Sequence, residues 1–293
     1  MINFCHISPI NTLHLIEKKP VHLLLAHLVE ENQHYRDFYR NLKMRNPKVF
    51  YHLDNSAFEM FKRGEPMYPA TKLIHMADLV GADSIVMSDY PKQDYVQTIG
   101  AAEYLIPAFK QAGYKTFFCP QSEIGRIDDL IESFEWALNN GKIDYIGVSI
   151  LACPIALGVD ESSHHTSYTK SDSYRMQRYL ARRRVFEILD QKGLLDERAN
   201  KRFHCLGMTD GPNEISLLKE YHHTIFSWDS SSAIWHGMNN IKYDQSPTGL
   251  RHGKLELEVD FNYNGPQSFD ELTVIKYNMQ YIDKLCGEDN NEV

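Results

Sequence analysis

Three acidic residues close apolar runs: Asp54 after Val49-Phe-Tyr-His-Leu53, Asp89 after Ser84-Ile-Val-Met-Ser88, and Asp229 after Thr224-Ile-Phe-Ser-Trp228. A carboxylate at the end of a buried strand gains little from packing, but it can act as nucleophile or as general acid or base. Taken one at a time, each acid has a plainer reading as a helix cap, because Asp and Ser are favoured N-caps and a helix could begin at Asp229-Ser-Ser-Ser232. An amide, Gln121, closes a fourth run, and Gly147, Val148 and Gly207 lie at the ends of two more. Brought to one place, three acids, an amide and open backbone N–H groups would form a coherent polar mouth.

The elements that must bring them together are short and alternate in type. Strands are predicted at 1–5, 21–27, 49–54, 84–89, 116–121, 145–150, 202–207 and 224–228. Helices are predicted at 32–42, 68–80, 95–112, 127–139, 174–194, 214–220 and 269–285. Apolar strands alternating with helices imply parallel βαβ units. Eight strands ahead of or at Asp229 fit a (β/α)8 TIM barrel, an α/β fold whose catalytic groups sit at the C-terminal strand ends. An open doubly wound sheet would show a Gly-rich nucleotide loop after an early strand, and none stands here. With no repeat or linker visible, residues 1–293 read as a single domain with insertions. Residues 154–172 form a polar, His- and Ser-rich loop, 254–261 alternate as a half-exposed strand, and 287–293 read as a frayed tail.

The bulk numbers narrow the class. At 43% hydrophobic residues the 293-residue chain can bury a full core, and its net charge of −8 creates no global field for nucleic acid. Any such partner needs a local basic face, and the helix carrying Arg175, Arg178, Arg182, Arg183 and Arg184 is the candidate; its plain reading is a solvated face paired with acids. Positions 175, 178 and 182 share one side of a helix. Five scattered cysteines without a CxxC pair argue against a zinc ribbon and a disulfide framework. No signal peptide or bilayer-spanning run is read, so the expectation is a cytoplasmic protein without a membrane partner. The adjacent pairs His164–His165 and His222–His223 do not by themselves define a metal site, and none is expected. Oligomeric state is left open.

The order of these motifs resembles the tRNA-guanine transglycosylase superfamily. Leu53-Asp-Asn-Ser-Ala-Phe-Glu59, Gly81-Ala-Asp-Ser-Ile-Val-Met-Ser-Asp89, Phe118-Cys-Pro-Gln-Ser122, Ile146-Gly-Val-Ser149, Arg202-Phe-His-Cys-Leu-Gly-Met208 and Phe226-Ser-Trp-Asp229 follow that family's sequence of segments over residues 50–237. The family's barrel agrees with the strand count. The departures are as informative: no Cys-x-Cys-x-x-Cys zinc site is present, Asn55-Ser56-Ala57 stands where the family has Ser-Gly-Gly, and the arginines that follow the catalytic aspartate in the family are missing. These gaps point to the branch similar to DNA 7-deazaguanine transglycosylases of bacteriophages and bacterial modification islands.

The resemblance implies exchange of guanine in DNA for a 7-deazaguanine such as preQ0, with no cofactor. Asp229 would attack C1′ and form a glycosyl-enzyme, and Asp54 would handle the base's proton; two inversions retain configuration. Asp89 and Gln121, with the backbone at Gly147, Val148 and Gly207, would bind the base between Phe58 and Leu206 or Met208. A duplex target would have to be flipped out, and Arg175, Arg178 and Arg182 would grip phosphates. The same exchange on tRNA and a non-catalytic nucleic-acid-binding paralogue are the alternatives, with a carbohydrate-cleaving carboxylate barrel more distant.

Overall fold

A computed structural model describes residues 1–159, 172–208, 210–253 and 259–287. Eight strands are present: β1 (Asn3–His6), β2 (Val21–Leu25), β3 (Phe50–Asp54), β4 (Ser84–Val86), β5 (Lys115–Phe118), β6 (Tyr145–Ser149), β7 (Phe203–Leu206) and β8 (Ile225–Ser230). Every ladder is parallel, and the sheet runs β1-β8-β7-β6-β5-β4-β3-β2. β1 and β2, at the ends of that order, lie against each other, so the sheet nearly closes. The chain is a (β/α)8 barrel.

The helices are α1 (Ala26–Glu31), α2 (Gln33–Arg45), α3 (Ala57–Arg63), α4 (Ala70–Val80), α5 (Tyr95–Gln111), α6 (Ile127–Asn139), α7 (Ala152–Ala156), α8 (Asp172–Gln191), α9 (Glu214–Leu217), α10 (Ser232–Met238) and α11 (Phe269–Leu285). Their ends follow local chemistry. Asp94 accepts from the Val96 N–H at the start of α5, Ser268 and Glu271 form a capping box on α11, and Gly81 takes a left-handed φ of 70° where α4 stops.

Several boundaries differ from expectation. Asp89 and Gln121 lie three residues beyond β4 and β5, whose ladders stop at Val86 and Phe118, and Asp229 lies inside β8. The first residues of the expected 154–172 loop belong to α7, while 160–171 and 254–258 fall outside the described residues; Asp260 and Phe261 are not in a strand. Helices α1 and α3 follow directly on β2 and on Asp54 in stretches too short to show a helical period.

The barrel interior explains where the acids end up. Side chains along a strand alternate between faces, so Phe50, His52 and Asp54 of β3 project the same way. Phe50 packs edge-on against Tyr145 at 5.7 Å and Phe226 at 5.8 Å, forming an aromatic floor at the N-terminal end. His52 stands one step higher, 5.2 Å from the rings of both Phe117 and His204. Asp54 is one step higher again. On β8 the register slips between Phe203↔Ile225 and His204↔Ser227, leaving Phe226 as the extra residue of a bulge. Beyond it, Ser227 and Asp229 share the inward face.

Candidate active site at the barrel mouth

On the β3 side the chain turns sharply. Asp54 accepts the Ser56 N–H on Oδ1 at 2.9 Å, and Ser56 has a left-handed φ of 56° although it is not glycine. The Ser56 hydroxyl compensates by meeting His27 twice, at its backbone N–H (3.2 Å) and at Nδ1 (2.9 Å). Burial lowers His27 to about 4, so it is a neutral partner near neutral pH. Asp54 is pushed well above the usual carboxylate range, first by desolvation and then by the charge of Glu59; Asp229 and Asp89 add to the effect. These couplings place Asp54, Asp89, Asp229 and Glu59 in one electrostatic neighbourhood. Desolvation also raises Glu59 itself.

Asp89 is bonded from two sides. Asn55 donates to Oδ1 at 2.9 Å, and Gln121 donates to Oδ2 at 2.6 Å. Burial raises the Asp89 carboxyl, and these two donors oppose the rise. Asn55 is held firmly, since its amide N also donates to the Met87 carbonyl at 2.6 Å and its oxygen accepts the Ala57 N–H at 2.8 Å. Gln121 is not. Its Oε1 is buried with no hydrogen-bond partner among the described residues. Flipping the amide would set that oxygen against the Asp89 carboxylate, so the orientation follows from charge.

Asp229, 5% exposed, is held differently. Its Oδ1 lies 2.9 Å from His204 Nε2 and accepts the Gly207 N–H at 3.1 Å. Gly207 needs its φ of 72°, and an added Cβ would lie 2.8 Å from Ile150 Cδ1. The Gly207 carbonyl accepts from Trp228 Nε1 at 2.8 Å and from Arg182 Nη2 at 2.9 Å. Arg182 thus supports the turn from behind.

That placement corrects the expected phosphate contact at Arg182. The guanidinium is 1% exposed, forms two 2.7 Å bonds to Glu214, donates to the Val148 and Leu206 carbonyls, and lies 4.5 Å above the Trp228 ring. A buried guanidinium with its donors engaged cannot reach a nucleic-acid backbone. Helix α8 turns its 181–182, 185–186 and 189 positions into the protein, so the side shared with Arg182 faces the core. Arg178 lies 5.7 Å over the Tyr174 ring, and Arg175 packs close to Gly253.

The structure therefore brings Asp54, Asp89, Gln121, Asp229 and Gly207 to one end of the barrel. Gly147 faces inward below them, where a Cβ would lie 2.8 Å from Leu206 Cδ1 and 3.1 Å from Phe117. Val148 and Met208 are core residues, with the Val148 carbonyl used by Arg182 and the Met208 sulfur contacted by Ser232. Leu206 is half-buried, and Phe58 is exposed on α3 with the Lys62 ammonium 4.6 Å from its ring. The residues missed in the sequence are His204, His27, Asn55, Ser56 and Glu59. His52 and Ser227 each stand two residues before a strand-end acid, which is the alternation that could have exposed the inward row.

Other expected features fall away from the site. His222 and His223 bond the carbonyls of Ile215 and Glu220, and His164 and His165 lie outside the described residues. Among the described residues no group of three His, Cys, Asp or Glu is placed to hold a metal ion, and no helix is long and apolar enough to cross a membrane. All five cysteines are buried thiols. A cavity of about 740 Å³ lies away from these acids, lined by residues that include Met1, His222, Gln280 and Gly287.

Comparison with known proteins gives the fold. No family model and no curated protein matches the chain. Solved structures do. A protein of Coccidioides immitis provisionally assigned as a fructose-1,6-biphosphate aldolase superposes with a TM-score of 0.51 at 13% identity, over 98% of this chain and 91% of its own. An HpcH/HpaI aldolase from Desulfitobacterium hafniense DCB-2 reaches a TM-score of 0.42 at 9% identity, over 80% of this chain and 86% of its own. A protein from Aquifex aeolicus VF5 reaches 0.43 at 11% identity, over 80% and 85%. At these identities the likeness describes a barrel and transfers no activity. The expectation of DNA-guanine exchange is corrected here: the structure that superposes at a TM-score above 0.5 carries a provisional aldolase assignment and not a transglycosylase one. The transglycosylase, 7-deazaguanine and DNA-modification readings are withdrawn with it.

Proposed function

We propose that the barrel mouth is the active site of an enzyme that binds a small planar molecule by an edge carrying two adjacent N–H donors and acts on it with a pair of unlike carboxyl groups. The observation that carries this reading is the buried Gln121 Oε1 beside Asp89, which has no partner among the described residues. A buried acceptor left unmade costs about 1–3 kcal/mol, so such a group calls for a partner. With Asp89 next to it, the pair offers two acceptors side by side, which suits an amidine-like edge.

The catalytic pair follows from surroundings. Asp54, raised by burial and by three neighbouring acids, is suited to hold a proton and deliver it as general acid. Asp229, served by two N–H donors on one oxygen, is suited to act as base or nucleophile. Aldol chemistry through a Schiff base is not proposed, because no lysine stands at the strand ends 6–8, 25–27, 54–56, 86–89, 118–121, 149–150, 206–208 or 229–230.

The test is calorimetric titration with isocytosine, whose edge offers an amino group beside a ring N–H, against uracil as the control lacking the amino group. Isocytosine is expected to bind in preference. Replacing Gln121 by Met should weaken it roughly ten- to a hundredfold, the worth of about 1–3 kcal/mol. Equal binding of the two heterocycles, or binding untouched by Gln121→Met, would remove the reading.

A further inference from the structure

We infer that the barrel interior contains a one-directional chain of hydrogen bonds, Ser84 to His52 to Ser227 to His204 to Asp229, which locks His204 with its proton on Nε2 and makes it the positioning residue of Asp229. The chain belongs to the folded barrel itself; its catalytic meaning rests on the role proposed above for Asp229.

The geometry is continuous. Ser84 Oγ lies 2.5 Å from His52 Nδ1, and His52 Nε2 lies 3.4 Å from Ser227 Oγ. Ser227 Oγ lies 2.6 Å from His204 Nδ1, and His204 Nε2 lies 2.9 Å from Asp229 Oδ1. Each ring nitrogen of both histidines faces one partner in this row, and Ser84, His52, Ser227 and His204 are all fully buried. The row begins in β4, crosses β3 and β8 through the centre of the barrel, and ends at the mouth.

With both rings neutral, such a row is saturated in two ways. In one, Ser84 donates to His52 Nδ1, His52 Nε2–H to Ser227, the Ser227 hydroxyl to His204 Nδ1, and His204 Nε2–H to Asp229. In the other every bond is reversed and Asp229 Oδ1 carries the proton. The Gly207 N–H selects between them, because it donates to the same Oδ1 at 3.1 Å. An oxygen receiving two N–H donors is best served as a carboxylate oxygen, and protonating it would weaken its acceptance from Gly207. Burial also presses His52 far below the usual imidazole range, which keeps that ring neutral and able to accept on Nδ1. Among the described residues both bonds to Asp229 fall on Oδ1. A histidine fixed by its second nitrogen is a known way of setting which nitrogen serves the first.

The test reads the tautomers directly. Imidazole ¹⁵N spectra of the full-length, ligand-free protein are recorded, with resonances assigned by their loss in His204→Gln and His52→Gln. The expected result is a protonated Nε2 and an unprotonated Nδ1 on both rings. Ser227→Ala should then shift the His204 Nδ1 resonance, which loses its hydrogen bond, and release His52 from a single tautomer, while leaving His22, which bonds the Lys19 carbonyl through Nε2, unchanged. A His204 proton on Nδ1, protonation of both its nitrogens, mixed tautomers in the unaltered protein, or a His204 spectrum indifferent to Ser227→Ala would each overturn the inference. If Ser227→Ala does not fold, the unaltered protein's spectrum decides alone. Because no ligand is present, failure of isocytosine to bind leaves this result standing, and the reverse also holds.

Discussion

The β3 and β8 corners of the mouth carry the same residue type and treat it in opposite ways. At β3, Asp54 has one backbone N–H from a left-handed Ser56, and three other acids around it. At β8, Asp229 has two N–H donors, and its turn is braced by a buried Arg182–Glu214 pair. One environment raises the carboxyl above its ordinary range, and the other meets it with hydrogen-bond donors. The chemistry of the pair thus comes from what each backbone turn delivers to the oxygen, because desolvation penalises a charge that donors do not meet.

The brace at β8 is where the largest effect is expected. Glu214→Gln would leave Arg182 as a buried charge without its counter-ion, and removing one partner of such a pair costs roughly 3–5 kcal/mol. Urea unfolding should show that loss, whereas Arg182→Met together with Glu214→Leu should recover much of it. A Glu214→Gln protein as stable as the parent would mean that the brace contributes little and that the two corners differ less than described.

Next in size is the opposite response of the two acids. Asp54 has its folded-state value raised, so the native state binds the proton more tightly than the unfolded chain. Stability from that group is present below the ordinary carboxylate value, near 3.9, and is lost as pH rises through the folded value. Asp54→Asn should flatten this decline and stabilise the protein at pH 8 relative to pH 4, as read by denaturation across that range. Asp229→Asn should instead destabilise, by about 1–3 kcal/mol, because a neutral amide oxygen accepts the two N–H donors more weakly than a carboxylate oxygen does. The same sign for both variants would erase the distinction.

The smallest effect concerns the turn at Ser56. Glycine there relieves the left-handed backbone and forfeits the hydroxyl bonds to His27, so Ser56→Gly should change stability by less than about 1 kcal/mol. A loss several times larger would show that the His27 contact, rather than the backbone path, holds the β3 corner.

Reading order from the chain alone worked best where the signal was local. The strands at 21–25, 50–54 and 145–149 are apolar runs bounded by turns, the helix at 95–111 starts at the Asp94 cap and the helix at 127–139 has a clear period, so each was visible within a window of its own length. Arg182 shows the limit. Its helical phase relative to Arg175 and Arg178 was right, but helical phase does not say which side faces water; Glu214, thirty-two residues away, and the carbonyls of two strands decided that. His204 failed for the same reason, since an isolated histidine in a strand has no meaning until Ser227 and Asp229 are beside it.

The sequence by itself determined a parallel alternation of strands and helices and the positions of three acids near strand ends, because period and turn chemistry are properties of neighbouring residues. Only the tertiary structure decided which carboxyl is left to hold a proton and which is surrounded by donors. It also decided which arginine is buried and which amide oxygen waits for a partner. Those outcomes depend on burial and on contacts between residues far apart in the chain, and neither exists until the barrel closes.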